Sequence, residues 1–558
     1  MGIERGAQTN KADVNRRRAL LLGGGLALAG AGVGGLAWQH RGTGYSGPVQ
    51  PYPFDPVTAA NFRQPLFIPV ASGPFGVLDV REEVKIRTVA ASFPILDGRS
   101  TPFLLYQAEH AGTAYQNPII RIERGARFSA GLVNAMPQPT IIHWHGLHTP
   151  AAMDGNPADT IASGARYDYD FTVRNRGGTY WYHTHAHGHT AEQAYRGLAS
   201  FFLVDDEEQR GLARKLDLQF GVTDLPVVIQ DKQFDPQGRL RYAPSGPETM
   251  MGWLGDIVLA NLTPNAVLKV TPRGYRLRLL NGSNARIYRL AFVEDGKALA
   301  FTVIGTDGGL IERPETVTEA FLAPGERLDL LFDAGQARPG SDVFLRSLAF
   351  GPFESGTGTG GGGGMGMGMG MMGGMMGRMS SSRLPLGAEF NVMKLSVVAG
   401  EPVPLHLPAE LSKIEPIPLA DAAQRRIELS MTHMRFLING RTFRMGEIAL
   451  ETRRGAVEIW NIVNSSGMPH PMHIHGFSFQ VLERLNSPPS LLPQARFGRG
   501  RMVSDLGWKD TVLVWPGETV RVALDFSHDF PGDQSYVFHC HNLEHEDGGM
   551  MINYRVKA

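Results

Sequence analysis

The strongest constraint on this fold is a pattern that occurs three times along the chain: an apolar alternating strand, an Arg-Gly turn and a second strand. The copies are I-R-I-E-R-G-A-R-F ending at Phe128, V-T-P-R-G-Y-R-L-R-L-L-N ending at Asn281 and L-E-T-R-R-G-A-V-E-I-W-N ending at Asn461. His143 stands as far beyond Gly125 as His473 stands beyond Gly455, whereas Phe292 holds the matching place beyond Gly274. A second repeat keeps the register: Y-W-Y-H-T-H at Tyr180–His185 matches Y-V-F-H-C-H at Tyr536–His541. P-G-E-R-L-D-L-L-F-D from Pro324 likewise resembles P-G-E-T-V-R-V-A-L-D-F from Pro516. Many short strands, Gly/Pro turns and scant helical periodicity predict an all-β protein of three Greek-key β-sandwich or barrel domains. A chain of 558 residues is in any case too long for one core. The expected boundaries are 1–50 for a signal and linker, 51–210 for domain 1, 211–412 for domain 2 and 413–558 for domain 3. Domains 1 and 3 carry the candidate chemistry, and domain 2 reads as a spacer.

Four histidine pairs sit at i, i+2: His143/His145, His183/His185, His473/His475 and His539/His541. Successive strand side chains point to opposite faces, so each pair projects two imidazoles from one face. One pair alone would be an ordinary histidine doublet, but four pairs in two matching domains predict convergent metal ligands. Neutral imidazole suits copper, zinc, iron and nickel alike. Cys540, the only cysteine, forms no intramolecular disulfide, and without context it would read as a small buried hydrophobe. Its place between His539 and His541 turns it to the opposite face of the strand, toward a different site. The run H-C-H-N-L-E-H-E-D-G-G-M adds His545 and Met550, and His470 lies just before His473. One thiolate, two imidazoles and a weak axial thioether form the blue-copper set used for electron transfer. The expected arrangement is a one-electron centre on one face and a histidine cluster on the other, joined covalently through Cys540.

With H-W-H-G at His143, H-T-H at His183, H-P-M-H-I-H-G at His470 and H-C-H-N-L-E-H-E-D-G-G-M at His539, the chain resembles the multicopper oxidases. Within them it is most similar to bacterial copper-efflux oxidases and laccase-like enzymes. The resemblance runs from about Arg81 to the C-terminus and implies three cupredoxin-like domains, with a trinuclear copper cluster between the first and third. By position it implies a type 1 copper on His470, Cys540, His545 and, axially, Met550. The type 2 copper would take His143 and His473, and the type 3 pair His145, His183, His185, His475, His539 and His541. It also implies proton-relay acids at Asp154, in M-D-G-N-P, and at Glu546, directly after a type 1 ligand. The bland alternatives are a turn-forming Asp before Gly and a solvated Glu. His148, His187 and His189 read as supporting or surface groups.

From Gly356 to Gly377 the chain is nearly all Gly and Met, with Met365, Met367, Met369, Met371, Met372, Met375 and Met376 in close order and Met379 just after. Such a composition builds no packed core, so a flexible loop over 356–379 is expected. Soft thioether sulfur selects Cu(I), which makes the loop a candidate collector of substrate copper; a plain low-complexity linker is the alternative. Copper-efflux oxidases carry a Met-rich insert close to the type 1 site, whereas this loop lies well before M-T-H-M-R-F-L-I-N-G at Met431. Met468 is a further candidate ligand for substrate copper, but Ser466 stands where those enzymes have an acidic residue.

At the N-terminus, N-R-R-R-A-L-L from Asn15 leads into a Gly-rich apolar run from Ala19 to Trp38. It resembles a twin-arginine export signal, with an ordinary secretory signal or an uncleaved membrane anchor as alternatives. Arg41 to Pro56, rich in Gly and Pro, reads as a linker. Lysine plus arginine (54) balance aspartate plus glutamate (54), which removes the electrostatic case for a nucleic-acid partner. The expectation is a monomeric periplasmic oxidase that passes electrons from Cu(I), in copper detoxification, to O2. Laccase-type oxidation of phenols or other small donors is the runner-up. A non-enzymatic copper-binding or scaffold protein is disfavoured by the complete ligand set, and a two-domain copper nitrite reductase by the three repeats.

Overall fold

The structure, a computed structural model, describes residues 61–558 except 70–72, 97–98, 357–379 and 433. The candidate export signal and the candidate copper-collecting residues Met365, Met367, Met369, Met371, Met372, Met375 and Met376 therefore lie outside the described residues. Strands dominate, and they form six sheets that pair into three sandwiches. A six-stranded and a five-stranded sheet hold the strands from Gly73–Pro74 to Ala199–Asp205, two seven-stranded sheets hold Asp224–Lys232 to Phe390–Val397, and two five-stranded sheets hold the remainder. The short strand Gln64–Pro65 runs parallel to Ala266–Val270, so it joins the middle sandwich and not the first.

The Arg-Gly repeat has a single structural meaning. In each copy it carries the chain from one sheet of a sandwich to the other: Ile119–Glu123 to Arg127–Val133, Ala266–Val270 to Gly274–Asn281, and Ile448–Arg453 to Val457–Asn464. Gly125 and Gly455 take φ values of 87° and 76°, a left-handed turn that a side chain would strain. Each sandwich buries its own core. Leu78, Phe128, Trp144 and Phe202 lie in the first, Leu277, Phe292, Leu330 and Leu395 in the second, and Ile427, Trp460, Val522 and Phe538 in the third. Alternation is clear where only one face is covered, as in Val84–Phe93, and disappears in Gly178–Thr184, where every residue is buried. That strand has the third sandwich's histidines on one face and its own core on the other. Among the described residues, no helix is long and apolar enough to cross a membrane.

Candidate metal centres

Two short ladders set the histidines in place. Ile142–His145 pairs antiparallel with Gly178–Thr184, setting His143 opposite His183. His470–Ile474 pairs antiparallel with Gln534–Cys540, setting His473 opposite His539 and Met472 opposite Cys540. Side chains directly opposite share a face, so each ladder presents a patch of imidazoles. The two patches meet. His143 Nε2 lies 3.3 Å from His473 Nε2, and His539 Nε2 lies 3.3 Å from His185 Nε2 and 3.1 Å from His475 Nε2. His145, His183 and His541 form a further group, with ring centroids 5.0–5.6 Å apart. All eight of these imidazoles are buried.

Surrounding oxygens orient the rings. Nδ1–H of His143 points at the Asp154 carbonyl (2.8 Å), that of His473 at the Asp510 carbonyl (2.9 Å), and that of His183 at the Thr184 carbonyl (2.8 Å). His475 Nδ1 meets the Asp154 carboxylate at 2.7 Å. With Nδ1 so engaged, the lone pair sits on Nε2 and faces the cluster. His145 reverses the pattern, placing Nε2 3.0 Å from Asp510 Oδ1 and leaving Nδ1 without a partner. Burial first, and neighbouring imidazoles second, push His145, His183, His185, His475, His539 and His541 well below the ordinary histidine range, so they stay neutral.

On the other face of the Gln534–Cys540 strand, Cys540 Sγ lies 3.5 Å from Nδ1 of His470 and 3.5 Å from Nδ1 of His545. Here the tautomers are opposite to those of the cluster. His545 Nε2–H donates to the Met250 carbonyl (2.9 Å), and His470 Nε2 pairs with Ser466 Oγ (2.7 Å), which turns both Nδ1 atoms toward the sulfur. Met550 is fully buried in the same core, and its carbonyl accepts from Cys540 N at 3.0 Å. Burial pushes the Cys540 thiol up and lowers His545 to about 4. A soft cation supplies what this pocket lacks, because it holds as an anion a sulfur that burial would otherwise keep protonated. Orphaned nitrogens buried in the cluster, among them His183 Nε2 and both ring nitrogens of His541, point the same way. The donor sets therefore fit copper at both places.

The two acids differ in kind. Asp154 is fully buried and orients two histidines, His475 through its carboxylate and His143 through its carbonyl. Glu546 is also buried, 3.5 Å from His185 Nδ1 and 3.3 Å from His539 Nδ1. Burial, then Asp547, raises its carboxyl well above the usual range, which favours the protonated form. His148 braces the cluster from outside, its Nδ1 2.6 Å from the carbonyl of Gly476. Met468 is buried in the third core.

The middle sandwich contributes no histidine, yet it touches both centres. Arg327 makes a two-pronged ion pair with Asp510, the residue that holds His145 and His473. Burial alone would raise the Asp510 carboxyl, but Arg327 and then His145 outweigh it and hold it well below the usual range. Asp307 and Glu326 take Lys509 at 2.8 and 3.1 Å, so the whole Lys509–Asp510 step is clamped. The middle region's Gly246–Met251 helix covers His545. The P-G-E-R repeat pointed at the segment containing Arg327 only as a strand marker, and no spacing singled out Asp510 or Met250.

Three profiles of the multicopper oxidase family match residues 108–209, 237–358 and 417–558. Among solved structures, the McoA multicopper oxidase of the hyperthermophile Aquifex aeolicus is 39% identical, over 89% of this chain and 100% of that one, with a TM-score of 0.77. The laccase of Bacillus subtilis is 31% identical over 74% of this chain and 78% of its own length. The cell division protein FtsP of Photorhabdus laumondii is 30% identical over 78% and 82%. A buried cysteine–histidine site sharing a strand with a histidine cluster, three family profiles that together cover more than half of the chain and a fold shared with McoA make this chain a member of the multicopper oxidase family, a copper-dependent oxidoreductase.

Proposed function

We propose that the chain is an exported oxidase that takes electrons one at a time at a type 1 copper on His470, Cys540, His545 and Met550 and passes them to dioxygen. The second ligand set would be His143 and His473 for the type 2 ion and His145, His183, His185, His475, His539 and His541 for the type 3 pair. Copper, when bound, supplies the one-electron oxidation at the thiolate site and the four-electron reduction of O2 to water at the cluster. The single observation carrying this reading is the Gln534–Cys540 strand, whose opposite faces serve the two ligand sets, so that Cys540 and its flanking histidines form the covalent link between them. Asp154 would fix the orientation of His143 and His475, and Glu546 would hold a proton beside His185 and His539.

Cu(I) is the proposed donor. Supporting it is Ser381, two residues after Met379, whose N donates to Glu248 Oε1 at 2.8 Å. Glu248 belongs to the same short helix as Met250, whose carbonyl bonds His545. Ser466 at His470, where copper-efflux oxidases have an acid, and the likeness to a laccase favour the second reading, oxidation of phenols. Oxygen uptake with Cu(I) and with 2,6-dimethoxyphenol, for the whole chain and for one lacking Gly356–Gly377, separates them. Selective loss of the cuprous activity is expected. A better rate with the phenol, improved further by the deletion, would favour the laccase reading. Export through the twin-arginine machinery predicts that changing Arg16 and Arg17 to Lys leaves the protein inside the cell, which fractionation checks.

A further inference from the structure

The sheet that carries His143, His145 and His183 does not end at its imidazoles. In register, Trp181 stands directly between His145 on one neighbouring strand and Phe201 on the other, so the three side chains share a face. Phe202 pairs with Ile120 on the next strand, which sets Ile119 beside Phe201 on that same face. One half of the face is thus imidazole and the other half apolar, with the Trp181 indole at the seam. Its ring centroid lies 4.3 Å from that of His183 at an interplanar angle of 24°, 4.9 Å from His145 and 5.5 Å from His541. Histidines of the third sandwich cover the imidazole half, whereas Val228 and Leu280 of the middle sandwich cover the apolar half.

That apolar half is incompletely filled. Between Trp181, Phe201 and Ile119 on one side and Val228 and Leu280 on the other lies a cavity of about 30 Å³. This exceeds the roughly 10–15 Å³ that one water-sized molecule needs and falls far below the roughly 300 Å³ at which organic-substrate sites begin. Half-buried Phe67 and Phe75, their rings edge to face with centroids 5.8 Å apart, form its solvent side. Four polar side chains reach the wall, and each is engaged elsewhere. Asn117 accepts from Tyr106 N and donates to the Gly197 carbonyl, while Asn261 accepts from Val228 N and donates to the Phe67 and Pro226 carbonyls. Ser200 donates to the Asn117 carbonyl, and Gln230 Nε2 to the Gly282 carbonyl. Trp181 Nε1–H, which has no partner among the described residues, is a single donor, whereas a buried water takes about two to four polar partners. Such walls disfavour water and suit a small apolar guest, as apolar protein cavities take xenon.

We propose that this cavity is a binding site for dioxygen and the chamber through which the gas reaches the histidine cluster, with the Trp181 indole as the partition between them. The proposal rests on the reading of that cluster as the place where dioxygen is reduced. Dioxygen is apolar and close to water in size, so it passes favourably from water into such a cavity, whereas charged and hydrogen-bonding species are kept out. No bond forms or breaks at this step: the gas is held one indole away from His183 and moves on beside that ring.

The test uses the whole copper-loaded chain and the variant Val228→Phe, whose larger side chain fills the cavity from the middle sandwich without touching a histidine. Val228→Met, flexible enough to fit the same space, replaces it if the phenylalanine variant fails to fold. Crystals of the wild type under xenon pressure, a readout that needs no turnover, should show xenon between Trp181 and Val228, and crystals of the variant should not. With a saturating donor, KM for dioxygen should rise about fivefold in the variant while kcat at high oxygen and copper content stay unchanged. Absence of xenon from the wild-type cavity, or an unchanged KM for dioxygen in a variant that has lost xenon, overturns the proposal. If the wild type consumes no oxygen with any donor, the oxidase reading falls and the entry route with it, and the xenon result alone decides whether the cavity binds gas.

Discussion

The strands Gly178–Thr184 and Gln534–Cys540 occupy matching places in the first and third sandwiches, with His183 facing His143 across one ladder and His539 facing His473 across the other. They differ in the residue between their histidines. Thr184 turns to the opposite face and joins a polar knot, its Oγ1 2.6 Å from Gln193 Oε1 and 3.1 Å from Thr140 Oγ1. Cys540 turns to the equivalent face of the other strand and meets His470 and His545. The two faces of a strand are thus independent: one keeps a shared imidazole pattern, while the other is a packing interior in one domain and the candidate cysteine–histidine metal site in the other.

Substitution on either side of this comparison should separate the two roles. Cys540→Ser should remove intense blue absorption and lower oxygen uptake by at least about a hundredfold while leaving copper in the histidine cluster, because a hydroxyl is a poor copper ligand beside a thiolate. Arg327→Met leaves Asp510 buried without its partner, at a cost of about 3–5 kcal/mol. Thermal unfolding of the copper-loaded protein should show the loss, and the paramagnetic signature of the cluster should change while the blue band persists. Thr184→Val should cost only about 1–3 kcal/mol for the broken hydrogen bonds and leave both colour and turnover in place. A loss of colour in that variant would make the two faces interdependent.

A pH-dependent effect concerns Lys232, buried in the middle sandwich with Nζ 2.6 Å from the Tyr195 carbonyl. Burial lowers it to about 7, against 10.5 in an exposed chain. The unfolded chain therefore binds more protons than the native one between these values, so this residue's contribution to stability rises with pH across that window and reaches its minimum below it. Lys232→Met should flatten the rise in Tm between neutral and mildly alkaline pH relative to the wild type, as a pH series of melting curves would record.

What was legible in the sequence followed from local periodicity. Histidines two residues apart on strands share a face by geometry, and the residue between them faces away, so the separation of Cys540 from the cluster needed no structure. The Arg-Gly repeat marked three sandwiches but did not reveal that its turn crosses between sheets, since a tight hairpin and a sheet-to-sheet corner use the same glycine. Arg327 and Asp510 were hidden for another reason: their pairing spans 183 residues, and each belongs to a stretch whose local pattern describes only a strand entry. The Met250 carbonyl that sets the tautomer of His545 is a backbone atom, and no residue type signals it.

Metal content and visible absorption of the copper-loaded whole chain test the shared-strand arrangement most directly. Copper filling both ligand sets, with an intense thiolate-to-copper band that Cys540→Ser abolishes, is the predicted result. Zinc in place of copper, or copper at both places with no such band, would contradict it.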